Sequence, residues 1–436
     1  MLQRAPDSAS RSRTPGGGFV LGMLCFVYVL NFLDRQLISI LAKPIQDALG
    51  ISDSQLGRLT GLYFALFYCF IAIPVGWLAD RTHRVKVLAG ACALWSAATA
   101  ACGMVGSYGQ LVVARMAVGV GEAGGVPPSY AIISDYFPRE RRGTAMAIFN
   151  LGPPFGSALG VAFGASLAAA FSWRVPFYVI GGIGVVTAVA VYLLVAEPPR
   201  GGNDAPDVAA RGDLPRTSFA ATVGRFFANP VLLLASVASG GANFITYGIS
   251  NFATLLLMRE KGMTLSQVAV WYALVVAVAM SGGIYVSGRL IDRFTTRSRA
   301  AYGTIPALSL LLAVPFFIGF VWSPNWPLAL LFLTVPMFLN SFFLSATVAF
   351  VQDEVSPDKR VISGALLLLV MNFIGLGLGP TYVGMASDLF RAAYGAHSLQ
   401  AAMYALAPMY GIAALLFFGL ARLIRRTEHT AKGVVR

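Results

Sequence analysis

Apolar residues gather in twelve runs, near 19–42, 55–78, 86–106, 109–132, 143–170 and 176–196, then 231–257, 266–289, 302–322, 327–350, 361–387 and 403–424. Each is close to the roughly 20 residues that cross about 30 Å of hydrocarbon. Each is expected to be helical, because in lipid a segment must satisfy its own backbone hydrogen bonds. One connection stands apart. Residues 197–230 are polar and rich in Pro and Gly, and they divide the chain into a tail (1–18), a six-helix unit (19–196), a linker (197–230), a second six-helix unit (231–424) and a tail (425–436). Inside the linker, Phe219, Val223, Phe226 and Phe227 recur at helical spacing opposite Arg216 and Arg225. That is the pattern of a short helix lying on a membrane surface; the alternative is an irregular linker. The expected fold is an all-α membrane protein: twelve transmembrane helices in two pseudo-symmetric six-helix bundles, with both termini cytoplasmic.

Composition agrees. Of 436 residues 57% are hydrophobic and only 12% charged, with a mean hydropathy of +0.71. Soluble domains carry about 25% charged residues, so an ordinary soluble enzyme is excluded. The net charge of +13 is explained by topology. With both termini inside, the cytoplasmic segments hold 24 of the 32 Lys and Arg residues, and the outer loops hold six: Lys43, Arg58, Arg174, Arg259, Lys261 and Arg391. This is the positive-inside asymmetry, and it leaves no basic surface to assign to nucleic acid. The four cysteines lie in apolar runs without metal or disulfide spacing. The first run follows a short arginine-bearing tail and reads as a spanning helix, not as a cleaved signal.

The halves repeat one another. Gly76-Trp77-Leu78-Ala79-Asp80-Arg81, followed by Arg84 and Lys86, ends the second run; Gly288-Arg289-Leu290-Ile291-Asp292-Arg293 ends the eighth, 212 positions later. Asp135-Tyr136-Phe137-Pro138, running on to Arg141, follows the fourth run, and Pro357-Asp358-Lys359-Arg360 follows the tenth. Gly/Pro clusters occur in the fifth (152–156) and eleventh (375–380), where bending and packing are expected. Gly76 would let two helices approach closely. Asp80, Arg81, Arg84, Asp135, Arg141, Asp292 and Arg293 are candidates for a cytoplasmic gate, whose charges pair with neighbouring helix ends and release on switching. Ordinary topology charge is the plainer alternative.

The repeated GxLxDR loops and the 6+6 plan resemble the major facilitator superfamily of secondary transporters, over nearly the whole chain. His83 replaces the glycine usual in that loop. Two further stretches are similar to the Spinster branch, whose members move lysolipids and sphingosine-1-phosphate: Asn31-Phe32-Leu33-Asp34-Arg35, and Arg115-x-x-x-Gly119-x-Gly121-Glu122-Ala123 continuing to Ser134-Asp135-Tyr136-Phe137. The resemblance implies alternating access in a bacterial cytoplasmic membrane, by a monomer, with the first and fourth helices lining a central cavity.

Ionisable residues inside spans cost roughly 2.5–3.5 kcal/mol on insertion scales and mark function by default. Four lie away from span ends: Asp34, Arg35, Arg115 and Glu122. Arg115 and Glu122 are seven apart and share a helix face, about 10 Å apart along the axis. Asp34 and Arg35 are adjacent and point about 100° apart, so they do not pair ideally with each other. Combined with the resemblance, this implies a polar cluster near midplane. Glu122 and Asp34 are candidates for proton coupling. Arg35, with Arg115, is the candidate for an anionic head group, which its planar fork suits. The alternative is a static ion-pair network. The second half offers no matching charge; Asn31 from the first half and Asn243, Tyr247, Asn251, Asn340, Phe343 and Asn372 from the second are expected to line the cavity.

No GxSxG, P-loop or HExxH occurs, and the three histidines lack ligand partners at metal spacing. No cofactor, metal or catalytic residue is expected. The leading expectation is a proton-coupled secondary transporter of an amphipathic or lipid-like anion. Its rivals are a proton-coupled carrier of small organic anions or drugs, a non-transporting sensor of the same fold, and a membrane-embedded lipid enzyme.

Overall fold

The computed structural model describes residues 16–199, 219–355 and 359–434, and all regular structure among them is helical. Ten segments are long and apolar enough to cross a bilayer. Three of the twelve expected runs account for the difference. The fourth is divided into Tyr108–Glu122 and Val126–Tyr136 by a turn at Ala123–Gly125. Gly124 and Gly125 weaken the helix there, and Pro127 and Pro128 suit a new first turn better than an interior. The eleventh and twelfth runs fall together in one 66-residue helical stretch, Ile362–Thr427. It reverses at Gly395, whose φ of 53° suits glycine.

The repeat seen in the sequence returns as a repeat of irregularities. The second run breaks at Gly61, and the eighth winds as a π-helix over Val268–Tyr272. The fourth breaks at Ala123–Gly125, the tenth at Asn340–Ser341. The fifth breaks at Asn150–Leu151, and the eleventh turns π over Phe373–Leu378. Such interruptions free backbone groups and aim side chains off the regular row, and in membrane helices they are tolerated where protein or a cavity surrounds them.

Glycine sets how close the helices come. Gly152, Gly156, Gly160 and Gly164 lie four apart on the fifth run. A Cβ at Gly156 would stand 2.4 Å from the Val29 carbonyl oxygen, and one at Gly160 would stand 2.6 Å from that of Leu33. The helix carrying Asn31, Asp34 and Arg35 is therefore held backbone to backbone. The second half repeats the device: a Cβ at Gly379 would stand 2.3 Å from the Phe244 carbonyl oxygen. These contacts give the Gly/Pro clusters a packing role. The expectation of close approach at Gly76 is not met, because an added Cβ there meets nothing within 4 Å, and the same holds at Gly288. We therefore expect Gly156→Ala to lower the melting temperature of detergent-purified protein, by an overpacking cost of about 1–3 kcal/mol. Gly76→Ala should leave it unchanged.

A belt of exposed apolar side chains, among them Val186, Leu193, Leu312, Leu331 and Leu415, covers the outside. Water does not tolerate an apolar surface of that extent. In the linker, helix Phe219–Ala228 forms, with Phe226 buried and Phe227 exposed; Arg216 lies outside the described residues.

Candidate functional site

The four in-span charges come together. Arg35 Nε donates to Glu122 Oε2 at 2.5 Å, across 87 residues of chain, and both side chains are buried. The Arg35 guanidinium also lies 4.7, 5.2 and 4.6 Å from the ring centres of Phe32, Phe64 and Tyr68. Tyr247, from the second half, reaches the same guanidinium. Asp34 points away, as its 100° offset requires, and its carboxylate accepts from the Thr99 hydroxyl of the third run. Asn31 faces Glu122. Arg115 is 4% exposed and stacks on Phe64 at 4.4 Å. Among the described residues it makes no hydrogen bond or ion pair, although it lies near both carboxylates. Phe64, itself fully buried, is thus flanked by two guanidiniums.

These geometries separate two jobs. A buried carboxylate–guanidinium pair is costly to break, because removing one partner leaves an uncompensated charge. Glu122 and Arg35 form such a pair. Buried donors without a partner remain on both arginines, Arg115 Nε and Arg35 Nη2, and such donors are what an incoming anion needs.

The polar residues of the second half are largely engaged. Asn243 Nδ2 donates to the Met371 carbonyl at 3.2 Å and to Asn372 Oδ1 at 3.4 Å. Asn251 Oδ1 accepts from Ser39 Oγ at 2.5 Å, joining positions that are equivalent in the two halves. Asn340 Nδ2 donates to the Tyr410 hydroxyl at 2.9 Å. Phe343 is buried. Trp271, by contrast, is exposed on the outside.

Of the candidate gate residues, Arg84 and Asp135 form a tie within the first half. Arg84 pairs with Asp135, and the Glu197 carboxylate accepts from the Arg84 and Val85 backbone amides at 2.9 and 2.8 Å. Arg81 stacks on Trp77 at 4.2 Å. Arg141, Asp292 and Arg293 are exposed. The Asp80 side chain, and the Pro357 and Asp358 part of the second loop, lie outside the described residues. The second-half counterpart of Arg84–Asp135 is Tyr302 donating to Asp353, with the same separation of 51 residues in each pair. No charge pattern marks it, because tyrosine takes the place of arginine.

The strongest link between the halves lies at the end of the bundle away from the termini, and sequence reasoning missed it. Asp53, fully buried, accepts from Arg259 through both oxygens at 3.0 and 2.8 Å, and from Ser387 at 2.6 Å and Gln46 at 2.7 Å. Arg391 lies 3.8 Å away. Asp388 accepts from the Ser54 amide at 2.9 Å. Beneath this lock the backbones nearly touch: added Cβ atoms at Gly57, Gly61 and Gly384 would stand 2.4, 2.7 and 2.2 Å from the carbonyl oxygens of Pro380, Gly377 and Asp53, and the Thr381 hydroxyl donates to the Gly57 carbonyl at 3.4 Å. Beside it, outside the spans, burial pushes the Lys261 ammonium below its usual range, although it donates to the Val321 carbonyl at 2.9 Å. The one sequence signal for the lock was the Ser52-x-x-Gln55 capping box that fixes Asp53 at a helix start. Among the described residues no cluster of His, Cys, Asp or Glu is placed to hold a metal.

Residues 24–380 match the model of the Major Facilitator Superfamily. An MFS-type efflux pump of Mycolicibacterium smegmatis is 30% identical over 419 residues, 95% of each chain. Human protein spinster homolog 1 is 25% identical, over 88% of this chain and 77% of that one. Among solved structures, a bacterial homolog of the human lysosomal transporter Spinster, in an inward-facing and unoccupied conformation, superposes with a TM-score of 0.87 at 29% identity, covering 95% of this chain and 99% of that one. The occupied, inward-facing form gives 0.84 at 30%, covering 94% of this chain and 97% of that one.

Proposed function

We propose, for a chain that belongs to the major facilitator superfamily and is Spinster-like within it, a secondary active transporter of an amphipathic anion of the lysophospholipid or sphingosine-phosphate type. Its family and fold are those of membrane transporters, not of enzymes. In this reading twelve helices cross a bacterial cytoplasmic membrane, both termini are cytoplasmic, the protein works as a monomer, and protons drive it. The single observation carrying the proposal is the buried cluster, in which Arg35 pairs with Glu122 through Nε while Arg35 Nη2 and Arg115 Nε keep unused donors. A proton on Glu122 would release Arg35. An anionic head group at Arg115 would then compete for the freed guanidinium, so that proton and substrate act on one pair. The tied end at Asp53 and the ties kept within each half at the opposite end support a cytoplasm-open state. The lipid class follows from the resemblance of the Asn31–Arg35 and Arg115–Ala123 stretches to the Spinster branch, with which the relatives named Spinster agree.

The test is uptake of a fluorescent lysophospholipid into liposomes holding the purified protein, with and without a pH gradient. Transport that responds to the gradient is expected. A second reading, efflux of small organic anions or drugs, is favoured by the efflux-pump relative. Gradient-driven movement of such compounds, with none of the lysophospholipid, would select it.

A further inference from the structure

We propose that a pocket in the second half is a subsite for a hydrogen-bond-donating group of the substrate, an ammonium or a hydroxyl. The proposal rests on the transport reading above and adds a second polar requirement to the anionic head. The pocket is a small cavity of about 20 Å³, room for one water-sized group, and is lined by Thr246, Ser250, Met280, Met337, Asn340 and Ser341 among others.

The argument is a tally of protons. Asn340 is 2% exposed and sits at the break between helices Trp326–Leu339 and Phe342–Glu354. It spends its amide group on Tyr410, and its carbonyl oxygen has no partner. Thr246 has given its hydroxyl proton to the Ala242 carbonyl at 2.9 Å, and Ser341 has given its own to the Met337 carbonyl at 2.9 Å. What these three offer the pocket is oxygen lone pairs, while the Ser250 hydroxyl, which makes no hydrogen bond among the described residues, can accept or donate. Two methionine thioethers add soft, adaptable walls and weak acceptors. No cation and no carboxylate lines the space. A buried acceptor left unmet is costly, so the pocket favours a group that arrives with its own protons.

Its position fits the same molecule. Thr246 adjoins Tyr247, which reaches the Arg35 guanidinium. Thr246 and Tyr247 point about 100° apart on helix Pro230–Arg259, so the first half offers donors to an anion and the second offers acceptors on an adjoining face. A substrate carrying both groups spans the interface between the halves.

The probes are lysophosphatidate, which has a free hydroxyl, and its deoxy analogue, compared by ligand-induced stabilisation of the purified full chain. In the parent the hydroxyl compound should bind about tenfold more tightly, the worth of one good hydrogen bond. In Asn340→Leu the two should bind alike, at the analogue's level. Ser341→Ala leaves the Tyr410 contact intact and should narrow the ratio even if Asn340→Leu folds poorly. Equal binding of both probes to the parent overturns the subsite while the transport reading stands. An unchanged ratio in both variants also overturns it, leaving Asn340 as the holder of a water. If neither probe binds the parent, the transport reading and the subsite fail together.

Discussion

Glu122→Gln should remove the proton-gradient dependence of transport while leaving the chain folded. The substitution keeps shape and an acceptor for Arg35 but takes away the titratable group. Its partner behaves differently. Arg35→Ala leaves Glu122 buried without its cation, and breaking a buried pair in that way costs about 3–5 kcal/mol. The double variant Arg35→Ala/Glu122→Gln should recover much of that loss, because no charge is then stranded. Thermal unfolding of the four proteins closes the cycle, and vesicle transport at two pH gradients reads the coupling. Unchanged gradient dependence in Glu122→Gln would sink the assignment and leave the pair as helix glue.

Arg115→Ala is expected to do the reverse. It should cost less stability than Arg35→Ala, since the guanidinium makes no hydrogen bond among the described residues; it loses its stacking on Phe64, worth about 0.5–2 kcal/mol, and its attraction for the nearby Asp34 and Glu122 carboxylates. It should cost much binding, because a bidentate anion contact of two charge-assisted bonds is worth roughly a hundredfold or more. Arg115→Lys keeps the charge but loses the fork, and should fall between. The readout is stabilisation of monodisperse protein by a lysophospholipid. Normal binding with a lowered melting temperature would make Arg115 a structural cation. We propose Arg115 as the head-group cation beside Arg35, the first candidate in the sequence, since each keeps a buried donor without a partner.

Hydrophobic run length and glycine spacing carried most of the fold in the sequence, since both act locally. The four in-span charges were legible because charge in lipid is rare. Their partners were not. Thr99 is an ordinary residue of an apolar helix, and only the rotation of the third helix against the first brings it to Asp34. Asp53 and Arg259 stand 206 residues apart at run ends, where charges are common, and their pairing depends on how one half sits on the other. The division of the fourth run was written in Gly124, Gly125 and the two prolines after them, but high hydropathy hid it. The absence of packing at Gly76 reflects the same limit: a small residue permits close approach, and the placement of the halves decides whether it happens.

The glycine seam beneath Asp53 has a thermal consequence. When Gly57, Gly61 and Gly384 part from their partners, the groups uncovered at these contacts are peptide carbonyls and the Thr381 hydroxyl. Apolar exposure raises heat capacity and polar exposure lowers it. Separation along this line should therefore carry little heat-capacity change, and the balance between the two facing states should drift only gently with temperature. An organism that cools or warms would keep its carrier poised, while a protein closed by interlocking leucines would shift steeply toward one side.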